Sequence, residues 1–189
     1  SEMKRASTVA LPLVLTLLTA GCGYNQIQTM DEKVNQAQGQ IQTQLQRRAD
    51  LIPNLVNTVK GITKQEDTVF ISIANARAKL SGAIQSGNVG EMSAANTSLS
   101  QGLGRLLAIS ENYPELRSSE NFRQLQDQLE GTENRISVAR QDYNGAVGQY
   151  NGFIRRFPYN LTAKMFGMGA PREYFEAAAG AAEAPKVQF

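Results

Sequence analysis

The chain has 189 residues, a formal charge of only +2, one cysteine, no histidine and no tryptophan. Without histidine it lacks the commonest general base and metal ligand, and with a single cysteine it has no internal disulfide. The small net charge, with no basic stripe, argues against nucleic acid as a partner.

The first element is a targeting segment. Met3-Lys4-Arg5 gives a short basic start, with Met3 read as the initiator. Ala6 to Thr19 is almost wholly apolar or small, and Leu18-Thr19-Ala20-Gly21-Cys22 follows. A basic start, an apolar stretch of this length and a small-residue cut site predict a secretory signal over residues 1–21. Its end resembles the bacterial lipoprotein pattern, in which the cysteine thiol is acylated and becomes the new N-terminus. Cys22 is therefore the expected lipidation site and palmitate-type chains the expected tether. An uncleaved spanning anchor is the rival, but spanning takes roughly 20 apolar residues, and this stretch is shorter and contains Pro12. Two acyl chains make attachment lasting. Gly23 rather than Asp follows Cys22. The expected address is extracytoplasmic, on the inner leaflet of the outer membrane in a two-membrane cell or outside the plasma membrane in a one-membrane cell.

Four long segments then show helical periodicity. The first spans about Asn25 to Gly61, with Ile27, Met30, Val34, Ala37, Ile41, Leu45, Ala49, Ile52, Val56 and Val59 at steps of three and four. The second starts at Thr63, with Glu66 completing a capping-box pattern, and turns Val69, Ile73, Ala76, Leu80 and Ile84 inward. Asn88 with Glu91 caps the third, which uses Met92, Ala95, Leu99, Leu106, Ile109 and Tyr113 before Pro114. The fourth runs from Ser119 to Phe157, with Phe122, Leu125, Leu129, Ile136, Ala139, Tyr143, Val147, Tyr150, Ile154 and Phe157 as its seam and Pro158 as its stop.

Short connections make consecutive helices antiparallel neighbours. The expected fold is all-α: an antiparallel up-and-down four-helix bundle over residues 22–176, with extended first and last helices. Asn160 to Tyr174 reads as a short helix and glycine-containing turn that folds back as a C-terminal segment. Residues 177–189 read as a disordered low-complexity tail.

Pro53 sits inside the first periodic helix, where it deletes a backbone hydrogen bond and clashes one turn back, at a cost of about 3 kcal/mol. Arg48, Asp50 and Asn54 are the nearby groups expected to satisfy what it exposes. The stretch from Gln44 to Val56, Tyr113-Pro114-Glu115-Leu116-Arg117, Leu129 to Ile136, Ala139-Arg140, Tyr150-Asn151 and Arg156-Phe157-Pro158-Tyr159-Asn160-Leu161, with Phe166-Gly167 and Tyr174-Phe175, together resemble the LemA family. The likeness covers about Tyr24 to Glu176. It implies a helical bundle behind an N-terminal membrane anchor and lends no reaction. Relatives often carry a tryptophan near Gln38, which this chain lacks.

Glu130 and Glu133 lie one helical turn apart and can share a face. They are the basis of an alternative reading as an envelope hydrolase with paired carboxylates. Against it stands a solvated acidic face answered by Arg135 and Arg140. Arg77 is expected to form a structural ion pair with Asp50 or Glu133, against the alternative of separate exposed charges. Tyr143, Tyr150, Phe153 and Phe157 read as core rather than as a ligand groove. Arg155, Arg156, Pro158, Asn160, Phe166 and Tyr174 form the candidate interaction surface. No catalytic residue, cofactor or metal is assigned. The favoured reading is a non-enzymatic, membrane-anchored bundle that meets an unidentified envelope protein. A ligand-sensing bundle, which would need an apolar cavity between helices, is the third reading.

Overall fold

A computed structural model describes residues 2–63 and 67–176, with side chains from Gly23 onward. Among them the order is α1 (Glu2–Lys60), α2 (Asp67–Ser86), α3 (Val89–Ser110), α4 (Pro114–Ser118), α5 (Glu120–Phe153) and α6 (Tyr159–Met165), with no strand. The long helices are the four expected ones, α6 is the short helix expected near Asn160, and α4 is a short addition. The described residues divide into two compact units, one drawn from 2–38 and 143–172 and the other from 39–142 and 173–176. Helices α1 and α5 contribute to both.

In the second unit the helices pair in antiparallel order. Gln42 of α1 meets Ile84 of α2, and Ala49 meets Arg77. Asn54 and Thr58 lie alongside Asn121 and Gln128 of α5, while Gln40 and Gln44 lie alongside Asn134 and Asp142. Leu45, Ile52, Leu55, Ile73, Leu80, Met92, Leu99, Leu106 and Phe122 are fully buried between them. Each large side chain so buried contributes about 1.5–3 kcal/mol. Helix α2 comes so close to α3 that a methyl group added at Gly102 would sit 2.9 Å from Ile73 Cγ1. In the first unit Ile27, Val34, Tyr143, Val147, Tyr150, Ile154 and Ala163 form the core.

Several element ends differ from the sequence reading. Helix α1 is continuous from Glu2 and passes through Pro53. Past Pro53 its buried positions are Leu55 and Val59, and Val56 is only half-buried. Thr63 does not cap α2. Its Oγ1 donates to the Val59 carbonyl at 3.0 Å, finishing α1, and α2 begins at Asp67. Glu66, the other half of the expected capping box, lies outside the described residues. Ala83 rather than Ile84 is the buried end of α2. Asn88 caps α3 as its side-chain chemistry requires, accepting from the Glu91 amide at 3.0 Å. Pro114 opens the single turn α4, where a missing amide costs nothing, and this turn buries Leu116. Helix α5 ends at Phe153, four residues early, so helical spacing no longer governs Phe157, which is 80% exposed. The segment assigned as a tail, 177–189, lies outside the described residues.

Candidate functional site

The residues singled out for chemistry fall into three clusters. The first answers Pro53. A proline at position 53 leaves the carbonyl four residues earlier, at Ala49, without its helical donor. Arg77 fills the gap from α2, its Nε donating to the Ala49 oxygen at 2.9 Å. Among the described residues no ion pair joins Arg77 to Asp50 or Glu133, the expected partners. Asp50 instead accepts from Gln46 of its own helix at 2.8 Å.

Glu133 belongs to the second cluster. Its carboxylate lies 2.5 Å from Nη1 of Arg48, which also donates to Asn96 Oδ1 at 2.7 Å. The guanidinium is buried, with a side chain only 5% exposed, while Glu133 is half exposed. Burial pulls the Arg48 pKa down, and the charge and hydrogen bond of Glu133 oppose that pull. One arginine thus ties α1 to α3 and α5. Its Nε is buried without a hydrogen-bond partner. Beside it runs a groove of about 470 Å³ walled by Leu55, Leu103, Leu107 and Leu129. The carboxylates in this groove, Glu130 and Glu133, come from one helix, and Glu133 is engaged by Arg48. Two-sided attack on a glycosidic bond needs carboxylates facing each other across the substrate, and this pair does not.

The third cluster closes the first unit and was missing from the sequence reading. Arg172 donates through Nε and Nη2 to Asp31 Oδ1, at 3.0 and 2.6 Å, and through Nη2 to Asn35 at 2.9 Å. The backbone of Arg172 is held as well: its amide donates to Asn151 Oδ1 at 2.7 Å and its carbonyl accepts from Asn151 Nδ2 at 2.9 Å. Tyr150 donates to the Met168 carbonyl at 3.1 Å. Burial raises the Tyr150 pKa first, Asp31 raises it further and Arg172 opposes both. The adjacent Tyr150-Asn151 pair was the visible trace of this cluster, but nothing local named Arg172 or Asp31 as its partners.

The candidate interaction surface is split by this geometry. Arg155, Arg156, Pro158 and Phe166 are exposed around α6, and Asn160 is half-buried with an unpartnered Oδ1. Phe166 leans on Tyr24, ring centroids 4.5 Å apart. Tyr174, 47% exposed, belongs to the other unit. Of the core aromatics, Tyr143 and Tyr150 are buried and Phe153 stacks on Tyr159 at 4.3 Å. The Cys22 side chain lies outside the described residues. No helix among them is long and apolar enough to cross a membrane.

The LemA family profile matches residues 37–189, most of the chain. The chain belongs to the LemA family. Among curated proteins this LemA-family chain is similar to magnetosome protein MamQ 2 of Paramagnetospirillum magneticum, with 26% identity across 88% of this chain and 69% of that protein. It is similar to magnetosome protein MamQ of Magnetospirillum gryphiswaldense at 25% identity, across 90% of this chain and 71% of that protein. The LemA match starts inside α1, so it covers the Pro53 and Arg48 clusters whole. It leaves Asp31 and Asn35, half of the Arg172 cluster, to the segment before it.

Proposed function

We propose that this LemA-family protein is a lipid-anchored, non-enzymatic bundle on the extracytoplasmic face of the bacterial envelope, where it serves as a scaffold for another envelope protein. The observation that carries this reading is the use made of its two ion-paired arginines, one buried and one at the surface. Arg48 is closed off by Glu133 and Asn96, and Arg172 by Asp31 and Asn35. Groups that an enzyme would aim at a substrate are here spent on holding helices together. The sequence Leu18-Thr19-Ala20-Gly21-Cys22 supplies the anchor, and the names of the MamQ relatives describe no reaction.

Two measurements test it. Intact mass of the mature protein should show acyl chains on Cys22, and Cys22→Ser should release the protein from membranes. A free thiol at position 22 in mature material removes the tether. For the scaffold, a photo-crosslinker placed at Tyr174 in living cells should trap one defined envelope protein; turnover of a cell-wall substrate by the purified chain would replace the scaffold with an enzyme. The leucine-walled groove beside Arg48 favours one second reading, a sensor of small apolar ligands. Saturable binding of a fluorescent apolar probe, abolished by Leu103→Gln, would support it.

A further inference from the structure

Helix α6 is apolar on both sides. One face is packed: Ala163 and Thr162 are buried, and Tyr159 lies against both Phe153 and the backbone at Gly23. The other face points outward and carries Leu161 and Met165, at 59% and 69% exposure, one turn apart. Phe157, in the turn just before α6, and Phe166, just after it, are exposed as well. A short helix whose outer face were meant for water would carry polar residues there. A contiguous exposed apolar row marks a surface that something covers.

Two observations say what covers it. The first is position. A methyl group added at Gly23 would sit 2.8 Å from the Tyr159 ring and 3.7 Å from Thr162 Oγ1, so α6 is level with the residue that follows Cys22. Whatever holds Cys22 is within a turn or two of this helix. The second is charge. From Tyr143 to Arg172 the sequence has no Asp or Glu. Arg155, Arg156 and Lys164 are exposed near these side chains, and Arg172 is taken by Asp31. Exposed apolar side chains rimmed by cations fit the boundary between acyl chains and anionic headgroups.

We infer that the outer face of α6 is a membrane ledge: Phe157, Leu161 and Met165 dip into the leaflet that holds Cys22, and Arg155, Arg156 and Lys164 meet its anionic headgroups. The inference rests on the anchored reading and adds a second point of contact to it. One tether lets the bundle swivel; tether and ledge together fix which way its other surfaces face.

The natural absence of tryptophan provides the probe. Leu161→Trp puts a single indole on the ledge at an already exposed position. Gln36→Trp, on the exposed side of α1 in the same unit, puts it about 20 Å further along that helix from Gly23. The full lipidated chain is reconstituted into vesicles of phosphatidylcholine and phosphatidylglycerol, with and without brominated acyl chains. Flotation reads the anchor; quenching reads the ledge. The expected result is flotation of both variants, with the indole at 161 losing roughly half or more of its emission to brominated lipid and the indole at 36 keeping its own. Met165→Trp should repeat the result at 161 and guards against a misfolded first variant. Flotation with no more quenching at 161 and 165 than at 36 overturns the ledge, leaves the anchor standing and returns this face to a protein partner. Failure to float overturns the anchor and the ledge with it.

Discussion

Pro53 and Arg77 show how one backbone defect is repaired across a helix pair. Removing an amide inside a helix leaves a carbonyl that must find another donor or be desolvated unpaired. Arg77→Met should therefore cost about 1–3 kcal/mol in urea unfolding, the usual penalty for a stranded acceptor. Pro53→Ala restores the helical amide, so the same Arg77→Met change should cost much less in that background. A double-mutant cycle with no coupling would mean that Arg77 acts through something other than the Ala49 carbonyl. The defect was legible in the sequence; its remedy was not. Periodicity places residues on faces of their own helix, and the donor came from another helix, 28 positions away. Tyr150 offers a test against pH. Its raised pKa means the folded state holds the phenol proton above the unfolded value of about 10. The stability this supplies is fully present below pH ~10 and is lost as pH climbs through the folded value. Tyr150→Phe gives up the bond to the Met168 carbonyl, about 1 kcal/mol at pH 7. The gap between wild type and variant should narrow above pH 10, and a constant gap to pH 11 would show that this phenol does not titrate with folding.

Among the helices, glycine has opposite meanings at neighbouring positions of α3. At Gly102 a methyl group meets Ile73 Cγ1, a branched side chain with little room to move, and at Gly104 it meets open space. Helix propensity favours alanine over glycine by up to about 1 kcal/mol at either site. Gly104→Ala should realise that gain and raise the Tm. Gly102→Ala should lose it to overpacking worth about 1–3 kcal/mol and lower the Tm by loosening α2 from α3. Equal shifts of the same sign would place the two helices further apart than described. The contrast explains what the sequence showed at this scale and what it did not. Steps of three and four found every long helix, because a buried stripe repeats with the helix itself. They could not rank two glycines two residues apart, since a close approach depends on the facing helix. They also carried the fourth helix on to Phe157. The apolar spacing continues past Phe153 although the helix does not, and Phe157 and Leu161 beyond it are exposed instead of forming an inward seam.

For the whole chain, the first unit is closed by residues that are far apart in sequence. Asp31 and Arg172 are 141 positions apart, and Gln28 reaches Met168 across 140. Such closure carries a loop-entropy cost, and here it is recovered by concentrating bonds on one residue. Arg172 contacts Asp31 and Asn35 with its side chain and Asn151 with both backbone groups. Substituting alanine removes the side-chain bonds and leaves Asp31, 23% exposed, without its cation. The backbone bonds to Asn151 remain available, so the expected result is loosening and not collapse. Hydrogen exchange followed by mass spectrometry should then show the change locally. Peptides covering residues 28–35 and 166–172 should exchange about tenfold faster or more, matching the 1.4 kcal/mol or greater loss expected for a charge-assisted bond. Peptides of α2 and α3, which belong to the other unit, should keep their protection. Faster exchange spread evenly over every helix would mean that the two units open as one. Unchanged exchange at 28–35 would mean that the packing of Ile27 and Val34 holds α1 there without the charge pair. The local outcome is the one the geometry requires, because Arg172 is the residue on which the last stretch of the first unit and the middle of α1 converge.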